Sequence, residues 1–443
     1  MSTSGAVKVS IDVQVGGAPR ASFGIPLVLQ YHTNWPERIR YYTDLADMVA
    51  DGFATSDLAY KAVAAILSQS QVVDRVGVGR LESSVVMEYT ATVNAPVVEG
   101  RTYTVTMNDV DYSYVALPAD TPALVANALV GLLNGIVGKN FTATDNTDGT
   151  FDVTGDATGD MFCFAAKLPS FAIKNNTPDG ATSLVDELTA IQVENDEWYA
   201  IIPTIASTPR VLAIAGFAQT ACKTQIASSS DTDMLAAPTV PAASDTASQL
   251  LDLSRDRTMM SHHDNDCQYL SGSIAGRGLP QDVGAINWAW QGSLSGVSTP
   301  AYSGTQIANA DLKRLNLYRE DCGGPAFFYG YTSAANFFYD LTRSKDWLVE
   351  NIKKDVCDLL VRNQKIPFTD QGIGLIKGTV RGRLIDAVGA GILAADPEPV
   401  VTAPLAADVL PSDKAARCLN DVLFTATLAG AINKVCVEGT VTL

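Results

Sequence analysis

Apolar and polar residues alternate with a period of two at both ends of the chain. At the N-terminal end, every second residue over nine positions is apolar, at Val7, Val9, Ile11, Val13 and Val15. At the C-terminal end, polar or small residues separate the apolar positions Val435, Val437, Val441 and Leu443. Successive side chains of a strand point to opposite faces, so this alternation predicts a β-strand arm at each end, in residues 1–19 and 434–443.

Such strands need a partner, because an unpaired apolar strand edge promotes aggregation. Each strand either returns to its own sheet or adds to a sheet of a neighbouring copy, where a backbone ladder supplies affinity. Gly16 and Gly17 follow the first strand and form a predicted hinge between it and the body. This hinge favours an arm that leaves its own body.

Between the two ends, strand patterns alternate with helix patterns. The first part, residues 20–90, predicts a strand from Phe23, a helix capped by Ser56, and a strand over 72–78. The later part predicts helices at 183–194, 209–222 and 266–275 and strands at 198–202 and 258–261. Alternation of this kind is typical of an α/β layer structure with some parallel strand pairing.

A segment of different character, residues 91–182, interrupts this alternation. It predicts a hairpin that turns at Asn108 and Asp109, a helix over 121–137, and two strands around Asp148-Gly149. We interpret it as a small α+β domain inserted into a discontinuous α/β core formed by residues 20–90 and 183–433. The overall fold class is therefore mixed, α/β with an α+β insertion.

Two strong helix patterns occupy the C-terminal third, at 346–363 and 371–393, with apolar residues every three or four positions. Residues 340–383 contain nine basic and six acidic side chains, although the whole chain has a formal charge of −17. This local positive charge is typical of a solvated helix face, but it also suits contact with an acidic partner. A hairpin is predicted over 422–443.

Composition excludes some classes of function. The charge of −17 argues against nucleic-acid binding, which needs a basic footprint, and against docking on anionic membranes. Apolar residues make up 47% of the 443 residues, yet no apolar stretch approaches the roughly 18 residues of a membrane span, and no secretory signal is recognisable. The seven cysteines are odd in number and widely spaced, so we expect small apolar residues in a reducing compartment rather than a disulfide framework.

The best candidate for catalysis is the run from His262 and His263 to Cys267, which follows a predicted strand. Strand ends in α/β sheets are common ligand sites, and histidine, aspartate and cysteine bind metals. However, adjacent strand residues point to opposite faces, so the two histidines are poorly placed to share an ion. The alternative is a polar turn in which Asp264 or Asn265 caps the next helix. We predict no enzyme, no metal and no cofactor.

Several short motifs resemble those of the contractile tail sheath proteins of bacteriophages, and they follow one another over most of the chain. They are Phe23-Gly-Ile-Pro-Leu-Val-Leu, Tyr60-Lys-Ala, Ser68-Gln-Ser, Val76-Gly-Val-Gly-Arg80, Asp346-Trp-Leu, Lys365-Ile-Pro-Phe-Thr-Asp-Gln-Gly-Ile and Leu428-Ala-Gly-Ala-Ile. The order of arm, interrupted core, insertion and C-terminal strand also resembles that family.

The resemblance implies a virion subunit that is assembled in the host cytoplasm, stacks as hexameric rings around a tail tube, and contracts to drive the tube through the host envelope. Its expected partners are further copies of itself, the tube, the baseplate and the tail terminator. In the family, terminal arms of neighbouring subunits add to a sheet of a third. The resemblance also implies that the C-terminal part of the core faces the tube, with Lys353, Lys354, Arg381 and Arg383 as candidate contacts.

Two alternatives stay open. One is another self-assembling virion protein, such as a tail tube or capsid subunit, although a tube protein is normally smaller and mostly β. The other is a metal-dependent enzyme that uses His262 or His263.

Overall fold

A computed structural model describes residues 23–180, 182–238, 245–321, 323–327, 329–433 and 435. The described chain forms two compact units. We call residues 23–280 and 288–339 the core unit, and residues 281–287 and 340–435 the C-terminal unit. The boundaries expected from the sequence, with residues 183–433 in one core part, stay a prediction.

Strands are distributed over the whole described chain. In chain order they are β1 (Pro26–Tyr31), β2 (Ile39–Tyr42), β3 (Val76–Leu81), β4 (Glu88–Val93), β5 (Thr102–Met107), β6 (Val110–Val115), β7 (Phe141–Asp145), β8 (Thr150–Gly155), β9 (Phe164–Ala166), β10 (Phe171–Asn175), β11 (Ala200–Pro203), β12 (Thr224–Ser229), β13 (Thr258–His262), β14 (Asn316–Asp321), β15 (Gly324–Phe327), β16 (Val400–Thr402) and β17 (Leu423–Thr425).

Helices separate most of the core strands and dominate the C-terminal unit. They are α1 (Leu45–Ala50), α2 (Leu58–Leu67), α3 (Pro122–Asn134), α4 (Leu184–Glu194), α5 (Thr208–Thr220), α6 (Thr246–Asp252), α7 (Leu270–Gly278), α8 (Gly304–Leu312), α9 (Tyr339–Arg362), α10 (Asp370–Gly389) and α11 (Pro411–Ala415). Short 3₁₀ helices span Thr232–Leu235 and Asp266–Gln268. No described helix is long and apolar enough to cross a membrane.

An eight-stranded sheet forms the centre of the core unit, in the order β15-β14-β13-β12-β11-β1-β3-β2. The six strands from β14 to β3 are parallel, and the edge strands β15 and β2 are antiparallel to their neighbours. Strands β11, β12 and β13 are buried along their whole length. Burial on both faces is typical of parallel sheets covered by helices on each side.

One glycine of the Val76-Gly-Val-Gly-Arg80 motif has a packing role in this sheet. A Cβ atom added to Gly79 would lie 2.9 Å from Cδ2 of Leu29 and 3.0 Å from Cδ1 of Ile191. The absence of a side chain therefore lets α4 pack closely onto β3. The motif therefore allows the helix layer to contact the sheet. It does not contain the complete glycine pattern of a dinucleotide-binding site.

The inserted part of the core unit, from β4 to β10, contains two antiparallel sheets and α3. Their strand orders are β10-β4-β8-β7 and β6-β5-β9. The hairpin predicted at Asn108 and Asp109 is confirmed, and both residues have the positive φ angles, 47° and 67°, that a type I′ turn requires. Thr121 caps α3 by accepting a hydrogen bond from the backbone N–H of Leu124.

The mixed α/β fold class is confirmed, although several local predictions need correction. Asp57, not Ser56, holds the N-cap position of α2. The helix expected over 266–275 is broken at Tyr269, whose φ of 45° separates a 3₁₀ turn from α7. The strand expected over 72–78 begins only at Val76.

The prediction that cysteines act only as small apolar residues was wrong for Cys163 and Cys267, which form a disulfide. They lie 104 residues apart in sequence, and an antiparallel bridge between Ala165 and Asn265 brings their segments together. No spacing pattern in the sequence reveals such a pair.

Candidate assembly surfaces

Most residues of the predicted arms lie outside the described part of the chain. These are Val7, Val9, Ile11, Val13 and Val15, the hinge residues Gly16 and Gly17, and Val437, Val441 and Leu443. Val435 is described; it lies in no strand, and its side chain is 76% exposed. Both arms and the hinge therefore stay predictions.

The C-terminal unit contains a small sheet in which β16 pairs with β17 in antiparallel orientation, with Val401 opposite Phe424. Val401 is buried, and Phe424 packs against the apolar core of this unit. By contrast, Val400 is 58% exposed and Leu423 is 61% exposed. The sheet thus has one face on the core and apolar side chains in contact with solvent.

The outer edges of this sheet have no further strand within the described residues, where β16 and β17 have only each other as neighbouring strands. A single antiparallel bridge between Leu393 and Leu428 extends the pairing next to them. A two-stranded sheet is marginally stable by itself, and its free edges can accept further strands.

Helices α9 and α10 form the apolar core of the same unit, as their spacing predicts. Buried residues of both helices share one cluster; they are Leu348, Ile352, Val356, Val380, Leu384 and Ala387. Leu360, which the helix pattern places on the same face, is 39% exposed instead. It lies near the C-terminal end of α9.

The four candidate tube contacts differ in how they are used within the chain. The guanidinium group of Arg383 donates to Asp355 through Nε, at 2.6 Å, and through Nη2, at 2.8 Å. These bonds raise the pKa of Arg383 above its usual value, and the group also lies over the ring of Trp347. Arg383 therefore links α10 to α9.

The other three basic residues are less constrained. Arg381 pairs with Glu398 at 2.9 Å, but both side chains are more than half exposed, so solvent weakens this pair. Lys354 is exposed and Lys353 is half-buried. Lys354 and Arg381 are thus the candidates that a partner could reach most directly.

A row of glycines on α10 was not predicted. Gly374, Gly378 and Gly382 recur every four residues, and a Cβ atom added to any of them would meet nothing within 4 Å. Leu375 and Ile385 are exposed on the same helix. The four-residue spacing is visible in the sequence, but sequence alone does not reveal that these positions are uncovered.

The two histidines of the candidate metal site point to different surroundings. His262 is fully buried, its Nδ1 lies 3.0 Å from the hydroxyl oxygen of Tyr302, and burial lowers its pKa to about 3. Both ring nitrogens of His263 lie near backbone carbonyl oxygens, 3.0 Å from Asn265 and 2.8 Å from Ser298. The imidazoles are used separately within the fold.

The alternative of a polar turn explains this segment. Asn265 caps the following 3₁₀ helix, since its side chain accepts a hydrogen bond from the N–H of Cys267 at 2.9 Å. A cavity beside Asp266 has a volume of about 10 Å³, which is room for no more than one water molecule. The segment is therefore a turn whose polar side chains bond to the neighbouring backbone.

Asp266 is a buried acid at the same strand end. It accepts hydrogen bonds from the Ser230 hydroxyl at 2.9 Å and the Tyr89 hydroxyl at 3.3 Å. Burial raises the pKa of Asp266 to about 7, because the ionised form loses its hydration. Tyr89 belongs to the insertion and Ser230 to the core, so this carboxyl group joins the two.

Comparison with known proteins supports the resemblance drawn from the sequence. Residues 339–397 match the family model for the C-terminal domain of E217 tail sheath protein gp31-like proteins. This segment contains α9, α10 and the loop that leads to β16. No match was found among curated protein sequences.

Solved structures share the fold at low identity. A chain of the anti-feeding prophage baseplate, six-fold symmetrised, is 13% identical with a TM-score of 0.50 and coverage of 100% of both chains. The PVC sheath of an extracellular contractile injection system, in its contracted state, is 9% identical with a TM-score of 0.50, covering 99% of this chain and 98% of that one. A sheath tail protein from Listeria innocua is 10% identical with a TM-score of 0.47, covering 88% and 90%.

The chain thus shares its fold with chains of the anti-feeding prophage baseplate and of the PVC sheath. Within this shared fold, residues 339–397 are similar to the C-terminal domain of the tail sheath family whose model they match.

Proposed function

We propose that this protein is the sheath subunit of a contractile phage tail, which stacks as hexameric rings around a tail tube and contracts to drive the tube through the host envelope. The observation that carries this proposal is the open sheet of β16 and β17, whose edges have no neighbouring strand within the described chain. Its exposed valine and leucine side chains also need cover, because large apolar side chains in solvent favour association.

The terminal arms of neighbouring copies are the proposed occupants of these edges. Residues 7–15 alternate apolar and polar side chains over nine positions, enough to span an edge strand of three residues with room to spare. Residues 435–443 have the same alternation. Strand addition joins subunits through backbone hydrogen bonds, while Gly16 and Gly17 let the arm change direction.

Contraction draws on the free energy of subunit packing. Each subunit occupies one of two interface arrangements, and the extended arrangement is the less stable. Each subunit moves as a nearly rigid body because its core is close-packed. The arms and the hinge absorb the change in direction between subunits. No catalytic residue is needed.

The tail tube is the proposed partner of the basic residues in the C-terminal unit. Lys354 and Arg381 are the most exposed candidates, Lys353 is half-buried, and Arg383 links α10 to α9 through Asp355. Positive charge here contrasts with the overall charge of −17 and suits an acidic tube surface.

The baseplate and the tail terminator are the expected partners at the two ends of the sheath. The protein would be assembled in the host cytoplasm and reside in the virion.

Substitutions in the N-terminal arm test the proposal. Val9→Asp with Ile11→Asp places two charges on the apolar face of the predicted strand, and Ser10→Asp with Gln14→Asp places two on the polar face. We expect the wild type and the polar-face variant to form tubes in negative-stain electron microscopy. The apolar-face variant should remain an unassembled subunit with an unchanged circular dichroism spectrum. Normal tubes from the apolar-face variant, or from a chain lacking residues 1–15, would contradict the arm model.

A further inference from the structure

The disulfide partners Cys163 and Cys267 belong to different parts of the core unit. Cys163 directly precedes β9 of the insertion, and Cys267 lies in the 3₁₀ turn that follows β13 of the central sheet. Their Cα atoms are 5.5 Å apart, inside the range that a disulfide requires. The side chains are nearly buried, with exposures of 4% and 7%.

Hydrogen bonds hold both cysteines in place without help from their sulfur atoms. The N–H of Cys163 donates to the side chain of Asn108 at 2.8 Å, and the N–H of Cys267 donates to that of Asn265 at 2.9 Å. The bridge between Ala165 and Asn265 fixes the spacing of the two segments. Backbone hydrogen bonds therefore hold the two segments together in addition to the disulfide.

An acidic side chain lies beside the pair, but it already has a partner. A carboxylate oxygen of Asp109 lies within 4.8 Å of both sulfur atoms. The same group accepts from the ammonium group of Lys61 at 2.7 Å. Because both sulfurs are used in the disulfide, this group is a covalent link beside a salt bridge rather than a metal site.

We propose that Cys163 and Cys267 form a redox-controlled clasp between the insertion and the central sheet. The thiols are reduced when the chain is made and are oxidised by a small-molecule disulfide of the glutathione type. Two successive exchanges form the protein disulfide and convert the oxidant into two thiol molecules, so that atoms and electrons balance. The setting, a particle that leaves a reducing cytoplasm, rests on the proposed function; the clasp itself depends only on the fold of one subunit.

The consequence is a third covalent connection for the insertion, which the chain otherwise joins to the core only at its two ends. A bond between residues 104 positions apart restricts the unfolded chain strongly, so the oxidised subunit gains stability. The reduced subunit keeps its hydrogen bonds to Asn108 and Asn265 but loses this restriction. The insertion should then be easier to detach.

Peptide mapping and thermal unfolding test the clasp on the purified full-length chain. After treatment with oxidised glutathione, and alkylation in denaturant, mass spectrometry should find the Cys163 and Cys267 peptides joined. A phosphine reductant should lower the unfolding midpoint by about 5 °C or more. Cys163→Ser and Cys267→Ser should each show the lower midpoint and no response to reductant, whereas Cys418→Ser, which alters an exposed cysteine, should respond like the wild type.

Three results would overturn the clasp. One is full alkylation of both cysteines after oxidation, and another is an unfolding midpoint of the wild type that reductant leaves unchanged. The third is stoichiometric binding of zinc by the reduced protein with protection of both thiols, which would make the pair a metal site with Asp109. Because peptide mapping and thermal unfolding report on the fold within each subunit, a failure to form tubes would not count against the clasp.

Discussion

The central sheet of the core unit and the small sheet of the C-terminal unit differ in how far their side chains are buried. In the central sheet, β11, β12 and β13 have no exposed residue, and their polar side chains are buried as well. In the small sheet, Val400 and Leu423 are mostly in solvent, and both outer edges lack a described neighbour. Burial of whole strands in the central sheet contrasts with apolar side chains of the small sheet that stay in contact with solvent.

The largest expected effect concerns the buried acid of the core unit. Because the folded pKa of Asp266, about 7, exceeds the unfolded value, its contribution to stability is full below about pH 4 and is lost as the pH rises to about 7. Asp266→Asn keeps an acceptor for Ser230 and Tyr89 but cannot ionise. At pH 8 the variant should be more stable by about 2–4 kcal/mol, and at pH 4 the difference should nearly vanish.

Urea unfolding at pH 4, 6 and 8 measures this difference in the free energy of unfolding. Asp186→Asn, which removes an exposed carboxyl group in the first turn of α4, is the matched control. An Asp266→Asn variant that follows the wild-type pH profile would show that this carboxyl group ionises freely in the folded chain.

The next effect concerns the link between α9 and α10. Arg383→Ala removes the two hydrogen bonds to Asp355 and should lower the free energy of unfolding of the C-terminal unit by about 1–2 kcal/mol. In a double-mutant cycle with Asp355→Asn, the coupling energy between the two residues should account for most of the stability lost in Arg383→Ala. Arg381→Glu is the matched control on the same helix and should cost less than about 0.5 kcal/mol.

The same pair of variants separates packing from contact with a partner. Arg381→Glu should form tubes poorly on a tail-tube template in spite of its normal stability, because it reverses an exposed charge. Equal losses of stability for both arginine variants would remove the distinction drawn between them.

The sequence predicted features that depend on neighbouring residues. The hairpin at Asn108 and Asp109 and the helix that begins at Ser183 follow from turn and cap chemistry within a few positions. Strand β12 was missed. Its sequence, Thr-Gln-Ile-Ala-Ser-Ser, does not alternate apolar and polar residues, and its polar residues are buried by parts of the chain that are distant in sequence.

Candidate sites were predicted less well, because they depend on partners that are distant in sequence. In the sequence, Arg383 looks like any basic residue on a helix surface. Its acceptor Asp355 lies on another helix, 28 positions earlier in the chain, so the pairing is not visible from neighbouring residues. Cys163 and Cys267 carry no spacing signal over their 104-residue separation. For the histidine pair, the opposite directions of adjacent strand residues follow from geometry alone, and the structure gives His262 and His263 different partners.

The last comparison takes one helical glycine from each unit, with the smaller effect expected at Gly378. A methyl group on Gly378 of α10 meets nothing, so Gly378→Ala should raise the free energy of unfolding by up to about 1 kcal/mol. A methyl group on Gly276 of α7 would lie 2.1 Å from the carbonyl oxygen of Ile66, so Gly276→Ala should destabilise the core unit. Thermal unfolding of both variants measures these opposite changes in stability. Tube formation by Gly378→Ala then tests whether this face of α10 contacts another molecule. A more stable subunit that assembles poorly would mean that another backbone approaches this face of α10, whereas normal assembly would mean that the face stays in solvent.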